Sequence, residues 1–170
     1  EKARGDELVR SSGHPWLVFQ PTWFMESIPL SIRGPFASAI GGVREPPRWI
    51  AGRDYGRMVA AALADETCRN LDVPVEGPEA VTVAEATRRF VRAAGRHALT
   101  IPTPLVFFRI MGAFVPLFRQ LAHIVDVTNR LAGAPRPERP DCIPAPEMTI
   151  EDYAAQVQAS GDWPEKSLFS

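Results

Sequence analysis

The chain has 170 residues, of which 45% are hydrophobic and 23% charged, and these proportions describe an ordinary folded domain with one core. Its net charge of −1 gives no electrostatic reason to expect nucleic acid or an anionic membrane as a partner. The two cysteines, Cys68 and Cys142, are too few for a disulfide framework and lack metal-ligand spacing. We therefore expect free thiols, a reducing compartment and a cytoplasmic protein.

The beginning of the chain predicts a helix, a break and a buried strand. Residues 2–12 are compatible with a helix, which Gly13 and Pro15 end. The apolar run at 16–19 is typical of a strand that is covered on both faces. Residues 21–25 follow at the carboxyl end of that strand, which is where open α/β sheets bind their ligands.

Helix and strand signals follow in the middle of the chain. Asp54 is a good N-cap and predicts a helix of about three turns with one buried stripe. Residues 71–76 predict a strand in which Pro74 favours an edge position, because proline lacks the N–H that a ladder needs. The predicted stripe of the helix consists of Tyr55, Met58, Val59, Ala62 and Leu63.

Two capping boxes predict further helices. Thr82 with Glu85 opens a helix that Gly95 ends. Thr149 with Asp152 opens another helix, which extends to about residue 159. The first helix is expected to bury Val83, Ala86, Phe90, Val91 and Ala94, and the second Ile150, Tyr153, Ala154 and Val157.

The segment between these two helices is the most apolar part of the chain. Thr103 as a cap and Pro104 at the first helical position predict a helix, which Pro116 kinks or splits. A second helix is predicted at 117–131 and ends at Gly133.

Two interpretations of this segment stay open. A membrane span needs about 20 apolar residues, and Arg109, Pro116 and Arg119 interrupt this run. The first interpretation is peripheral membrane contact through residues 105–131, with aromatic side chains beside arginines. The second is a helical hairpin that packs on the rest of the protein or lines a substrate cleft. The aromatic residues are Phe107, Phe108, Phe114 and Phe118.

Several motifs of the chain follow each other in a recognisable order. The first set is Lys2, Asp6, Glu7, Ser12, Gly13, the apolar residues 17–19, Gln20, Pro21, Phe24 and Glu26. Residues 50–59 and the Val-Glu-Gly-Pro-Glu passage within 75–85 come next. Together these motifs resemble the atypical short-chain dehydrogenase/reductases, particularly the NmrA-like and epimerase-like branch. The resemblance covers residues 2–95 well and the remainder loosely.

This resemblance implies an α/β fold, the C-terminal part of a Rossmann-type parallel sheet with a mainly helical substrate-side subdomain. Residues 1–95 would complete the NAD(P)-binding domain, with substrate-side insertions, and residues 96–170 would form the helical region. The chain contains no Gly-x-Gly-x-x-Gly turn for a pyrophosphate. We therefore expect that turn upstream of residue 1. On that expectation the 170 residues alone bind no NADPH measurably and are marginally stable.

The resemblance also implies a cofactor, NAD or NADP, and residues that contact it. Lys2 would hold the nicotinamide ribose and lower the pKa of a tyrosine four residues before it. A plain solvated lysine is the alternative. Pro21, Thr22 and Phe24 would close over the nicotinamide ring, although Gln20 replaces the arginine that is more usual in the family. Ordinary packing at a strand end is the alternative for this loop.

On the substrate side, the resemblance points to Met25, Glu26 and Phe36. Glu26 is either a polar specificity group or a surface carboxylate. No metal site is expected, because none of the three histidines has a suitably spaced partner for a metal or a catalytic triad. These are His14, His97 and His123.

Two functions are consistent with the resemblance. One is an NAD(P)-dependent oxidoreductase or epimerase-like enzyme that acts on a small organic substrate such as a carbonyl, a quinone, a sugar or a lipid-like molecule. The other is a non-catalytic, NmrA-like dinucleotide sensor that reports on redox state through a partner. A tyrosine upstream of Lys2 would favour the enzyme, and an apolar residue there would favour the sensor.

Overall fold

The computed structural model of the chain describes residues 2–135, 137–161 and 163. Five strands follow the first α-helix, helices and strands then alternate, and the last three elements are helices. The helices are α1 (Lys2–Arg10), α2 (Gly52–Ala64), α3 (Val83–Ala93), α4 (Leu105–Met111), α5 (Pro116–Leu131) and α6 (Ile150–Ser160). The strands are β1 (Leu17–Pro21), β2 (Trp23–Phe24), β3 (Ile32–Arg33), β4 (Phe36–Ile40), β5 (Trp49–Ile50), β6 (Leu71–Val75) and β7 (Leu99–Thr103).

Parallel pairing dominates the sheets. β1 pairs with β6 from Leu17 opposite Leu71 to Pro21 opposite Val75, and β2 continues the chain in a parallel pair with β5. Among the strands that the structure describes, β6 pairs only with β1, so Pro74 lies in an edge strand as predicted. The predicted α/β class with parallel strands is confirmed.

The third sheet corrects the prediction for Thr103. β3 and β4 form an antiparallel hairpin, and β4 pairs in parallel with β7, placing Thr103 opposite Ile40. Thr103 is therefore the last residue of a strand, and its hydroxyl lies 2.8 Å from that of Ser38. The N-cap of α4 is Pro104, without a side-chain hydrogen bond. Thr103 therefore pairs with the distant strand β4 and does not cap α4, although its local sequence predicted a cap.

The two helices with predicted capping boxes begin where the sequence indicates. The Thr82 hydroxyl accepts a hydrogen bond from the Glu85 N–H at the start of α3. Thr149 and Asp152 form both bonds of a capping box at the start of α6. The buried residues of α6 are those predicted, namely Ile150, Tyr153, Ala154 and Val157.

Helix α2 begins earlier than predicted, so the assignment of Asp54 as its N-cap is wrong. The N-cap is Ala51, and the Glu26 carboxylate accepts a hydrogen bond of 2.8 Å from the N–H of Gly52. A side chain from another segment thus satisfies the helix N-terminus. Asp54 is buried in the first turn, and Leu63, predicted to be buried, is exposed.

Two hydrophobic clusters form the core. The larger one joins α3 and α6 to Met25 and Trp49, and the smaller one lies between α2 and the paired strands β1 and β6. Both clusters combine residues from the two predicted domains, since Ile150 belongs to the larger and Ile143 to the smaller. The boundary at residue 95 stays a prediction.

The expectation of free thiols is wrong, because Cys68 and Cys142 form a disulfide. Their Cα atoms lie 6.2 Å apart, within the range that a disulfide requires. The link joins positions 74 residues apart, a proximity that the cysteine count could not reveal. Because disulfides persist mainly in oxidising compartments, the bridge removes the reason given for a reducing one. A cytoplasmic location stays a prediction.

Helices α4 and α5 form the predicted hairpin. Pro116 occupies the first turn of α5, as is favourable for proline. The helices approach closely at Gly112, where a Cβ atom would lie 2.9 Å from the Arg119 backbone. Within the described part of the chain, no helix is both long and apolar enough to cross a bilayer.

Candidate functional site

The carboxyl end of β1 leads into a loop that hydrogen bonds hold in place. The N–H of Thr22 donates to the Val75 carbonyl at 3.0 Å, and its hydroxyl donates to the Arg48 carbonyl at 2.5 Å. Phe24 follows and packs edge-on against Tyr55 of α2, with ring centroids 5.8 Å apart. The loop is therefore a well-anchored end of a parallel strand, the position where α/β sheets bind ligands.

A cleft of about 310 Å³ lies beside this strand end. One part of its lining comes from Arg48 and from the residues that end and follow β6. The other comes from the segment that precedes α6. The lining residues are Arg48, Pro74, Glu76, Gly77, Pro78, Pro137, Arg139, Ala145 and Pro146.

Arg48 is the polar centre of the cleft. Its guanidinium donates to the carbonyls of Gly77 and Pro78, at 3.2 and 3.0 Å, and lies 3.7 Å from the Glu76 carboxylate. Its own carbonyl accepts the hydroxyl of Thr22. Arg48 thus links the β1 loop to the passage that follows β6, and it places a cation and a carboxylate at the cleft.

A glycine is needed at position 77 because two backbones meet there. A Cβ atom on Gly77 would lie 1.5 Å from the carbonyl oxygen of Trp49, which no side chain can tolerate. The indole N–H of Trp49 donates to the Val81 carbonyl at 2.8 Å, which fixes the next part of the same passage. The shape of the cleft floor therefore depends on this contact.

The segment before α6 is attached to α2 by two charged side chains. Asp54 accepts hydrogen bonds from the N–H groups of Glu147 and Met148, at 2.7 and 2.8 Å. Arg57 donates to the Ala145 carbonyl at 2.7 Å and pairs with the Glu147 carboxylate at 3.0 Å. These bonds position residues 145–148, part of which lines the cleft.

The structure brings some of the predicted site residues together. Pro21, Thr22 and Phe24 lie in one loop at the end of β1. The backbone of Lys2 begins α1, and its side chain lies outside the described residues. The cofactor roles of these residues stay predictions.

The predicted substrate-side residues lie in three different settings. Met25 is completely buried in the larger hydrophobic cluster, whereas Glu26 is exposed and bonds to the start of α2. Phe36 is half exposed at the first position of β4, in a different sheet from the β1 loop, and pairs with Leu99. Their substrate roles also stay predictions.

Sequence reasoning did not identify the polar lining of the cleft. Glu76 and Gly77 stood within the Val-Glu-Gly-Pro-Glu passage, so their position was visible but their role was not. Arg48 and Arg139 each lie in a proline-rich stretch, which indicated only an irregular loop. An arginine among loop prolines gives no sign of which distant segment it will meet.

The groups with shifted pKa values described next, Tyr153, Arg89 and Glu151, lie outside the lining of the cleft. Burial, followed by the negative charge of Glu26, raises the pKa of Tyr153 to about 12, so this phenol stays neutral. Arg89 forms paired hydrogen bonds with Glu79 and Glu151, which raise the pKa of the arginine and lower that of Glu151. This network joins α3 to α6.

Among the described residues, no three metal-ligating side chains are grouped to hold an ion.

The chain matches parts of two curated reductases, and no family model matches it. It is 31% identical over 95 residues to the NAD(P)H azoreductase of Xenophilus azovorans, a match that covers 53% of the chain and 32% of the relative. It is 34% identical over 96 residues to the (4-alkanoyl-5-oxo-2,5-dihydrofuran-3-yl)methyl phosphate reductase of Streptomyces griseus, covering 54% and 33%. The matched regions thus span about a third of each relative.

Solved structures share the fold over most of the chain. Leucoanthocyanidin reductase from Vitis vinifera superposes with a TM-score of 0.69 at 15% identity, over 93% of the chain and 60% of that protein. A nucleoside-diphosphate-sugar epimerase from Staphylococcus aureus gives 0.63 at 15% identity, over 89% and 56%. The chain therefore shares its fold with a reductase and an epimerase, which is the α/β architecture that the resemblance found in the sequence implies.

Proposed function

We propose that the protein is an NAD(P)H-dependent reductase of a small organic substrate, with this chain forming the nicotinamide-side loop and the substrate cleft. The observation that carries the proposal is the parallel strand β1, which ends in the anchored loop 21–24 beside the cleft at Arg48. The names of the two curated relatives, both reductases, support the same assignment. So does the NADPH complex of the structurally similar leucoanthocyanidin reductase.

The residues present fit one end of such a cofactor. Pro21 is partly exposed at the end of a parallel strand, where a nicotinamide ring would lie against it. Lys2 is the residue that would hold the adjoining ribose. The hydroxyl and N–H of Thr22 are both bonded to the protein, so Thr22 would shape the loop more than bind the ring. A bound nicotinamide would supply or accept a hydride.

The cleft suits a small substrate better than a dinucleotide. Its volume of about 310 Å³ is at the lower end of ligand-binding pockets. Prolines give it a rigid apolar wall, and Arg48 and Arg139 provide cations at its edge. A compact organic molecule with a carbonyl or acidic oxygen matches this combination, because arginine donates well to such oxygens.

The test is NADPH and NADH oxidation by the whole protein, with azo, quinone and furanone substrates. We expect Lys2→Ala to lower kcat by about 10²-fold, as for loss of a group that assists proton transfer. Lys166, the other lysine of these 170 residues, gives the matched control, and Lys166→Ala should retain activity. Arg139→Gln should raise KM and leave kcat unchanged, as for loss of uniform substrate binding.

Two results would count against this function. Tight dinucleotide binding without turnover of any substrate would favour the non-catalytic sensor. Equal effects of Lys2→Ala and Lys166→Ala would remove the role proposed for Lys2. Calorimetric titration of the whole protein with NADPH separates binding from turnover in both cases.

A further inference from the structure

The α4–α5 hairpin carries an unusual share of the apolar surface. Among the described residues it contributes seven of the thirteen large hydrophobic side chains that are exposed. Phe114 is the most exposed of all, at 78%, and lies in the turn between the two helices. The seven are Val106, Phe107, Ile110, Phe114, Ile124, Val127 and Leu131.

The hairpin is attached to the rest of the protein near its base. The Asn129 side chain donates to the Gly42 carbonyl at 2.7 Å and accepts from the Arg44 N–H at 2.8 Å. The Trp23 indole N–H donates to the neighbouring Thr128 hydroxyl at 3.4 Å. These contacts lie at the C-terminal end of α5, whereas the turn with Phe114 lies at the opposite end of both helices. The apolar tip therefore projects away from the anchored base.

The surface of this hairpin is cationic as well as apolar. Arg119, His123 and Arg130 are exposed on the same side of α5 as Ile124 and Val127, according to the 100° rotation per residue. Arg119 and His123 also line an open groove of about 550 Å³ together with Ile124.

Acidic charge on the hairpin is confined to one ion pair. Within residues 104–133, all of which the structure describes, Asp126 is the only acidic residue. Its carboxylate accepts a hydrogen bond of 2.7 Å from Arg109 of α4. By the same 100° rotation, Asp126 lies on the side of α5 that carries Arg119 and Arg130, and its carboxylate is paired with Arg109. With three arginines and one aspartate in residues 104–133, the hairpin keeps a net positive charge.

We propose that this hairpin binds the surface of an anionic lipid bilayer, with Phe114 and Ile110 entering the acyl boundary and Arg119 and Arg130 contacting lipid phosphates. Exposed apolar side chains beside arginines on an amphipathic helix are the features that interfacial binding requires. A second copy of the chain fits this face less well, because two such faces would bring equal charges together. The inference is independent of the proposed reductase activity.

Vesicle flotation of the purified protein tests this inference. We expect binding to vesicles of phosphatidylcholine with 30% phosphatidylserine and much weaker binding to phosphatidylcholine alone. Phe114→Ser should weaken the partition by about tenfold, as for loss of one inserted aromatic ring. The control is Leu63→Ser on α2, because Leu63 is almost as exposed, at 76%, and lies outside the hairpin. The double variant Arg119→Gln with Arg130→Gln should weaken the partition into vesicles by roughly 30-fold. Its control is the double variant Arg53→Gln with Arg92→Gln, which should leave the partition unchanged.

The outcomes separate the possible occupants of this face. Full recovery in the lipid-free fraction at low salt overturns the inference, as does equal loss of binding in Phe114→Ser and Leu63→Ser. Light scattering that shows a dimer in the parent protein and a monomer in Phe114→Ser assigns the face to self-association and also overturns it. Binding that increases with phosphatidylserine and falls with salt supports it.

Discussion

Reduction of the Cys68–Cys142 disulfide should destabilise the protein strongly. The bridge closes a loop across 74 residues of sequence, and the chain-entropy relation assigns a loop of this length about 4.5 kcal/mol at 25 °C. Cys142 directly precedes Ile143, which is completely buried in the smaller cluster, so the unbridged segment keeps part of its packing. We expect a measured loss of about 2–4 kcal/mol in the free energy of unfolding.

Urea unfolding, followed by tryptophan fluorescence with and without a dithiol reductant, measures this loss. With a slope of about 2 kcal/mol/M, the reductant should lower the midpoint by roughly 1–2 M. The control is the double variant Cys68→Ala with Cys142→Ala, whose midpoint the reductant should leave unchanged.

An unchanged midpoint in the parent protein would refute the reasoning. Two thiols that alkylate in the unfolded, unreduced protein, detected by mass, would refute the bridge itself. The same mass measurement on protein taken directly from cells tests whether its compartment is reducing.

Three other changes should alter stability in different directions. Asp54→Ala should cost about 2–3 kcal/mol in urea unfolding, because it leaves two backbone N–H groups ahead of α6 without their acceptor, whereas Asp54→Asn should cost less. Gly77→Ala should lower the melting temperature steeply or prevent folding, while Gly56→Ala, with open space around its Cβ, should raise stability by about 1 kcal/mol. The contact with Arg89 lowers the pKa of Glu151, so the stabilisation from this ion pair is present above the ordinary glutamate pKa of about 4.3 and is lost as the pH falls below that value. Melting temperatures measured between pH 3 and 7 should show this loss, and Arg89→Gln should make the loss smaller.

Local sequence signals correctly predicted the helices whose capping residues lie within a few positions of each other in the chain. The capping box of Thr149 and Asp152 spans three positions, and α6 begins there with the predicted buried face. The start of α2 was predicted wrongly because its N-terminus is satisfied by Glu26, which precedes it by 26 residues. Thr103 was misassigned for the same reason, since its strand pairs with β4 more than 60 residues earlier. No local pattern contains these contacts.

The candidate site divides in the same way. The loop after β1 was predictable, because an apolar strand followed by Pro21 marks the carboxyl end of a sheet from sequence alone. The cleft beside it was not, because it forms where Arg48, the passage at Gly77 and the segment near Arg139 meet. The family resemblance located the Val-Glu-Gly-Pro-Glu passage in the sequence. The polar lining of the cleft, however, arises from tertiary contacts between distant segments, and no sequence pattern indicates that these segments meet.

Stability and the site are physically coupled through the segment that precedes α6. This segment supplies Arg139 and Ala145 to the cleft lining, and its position depends on distinct attachments. The disulfide at Cys142 fixes its middle, and the bonds from Arg57 and Asp54 fix its end. Cutting one attachment leaves the others, so the wall of the cleft should loosen before the whole protein unfolds. Substrate affinity is therefore expected to respond to the loss of any one of these attachments at urea concentrations where the core remains folded.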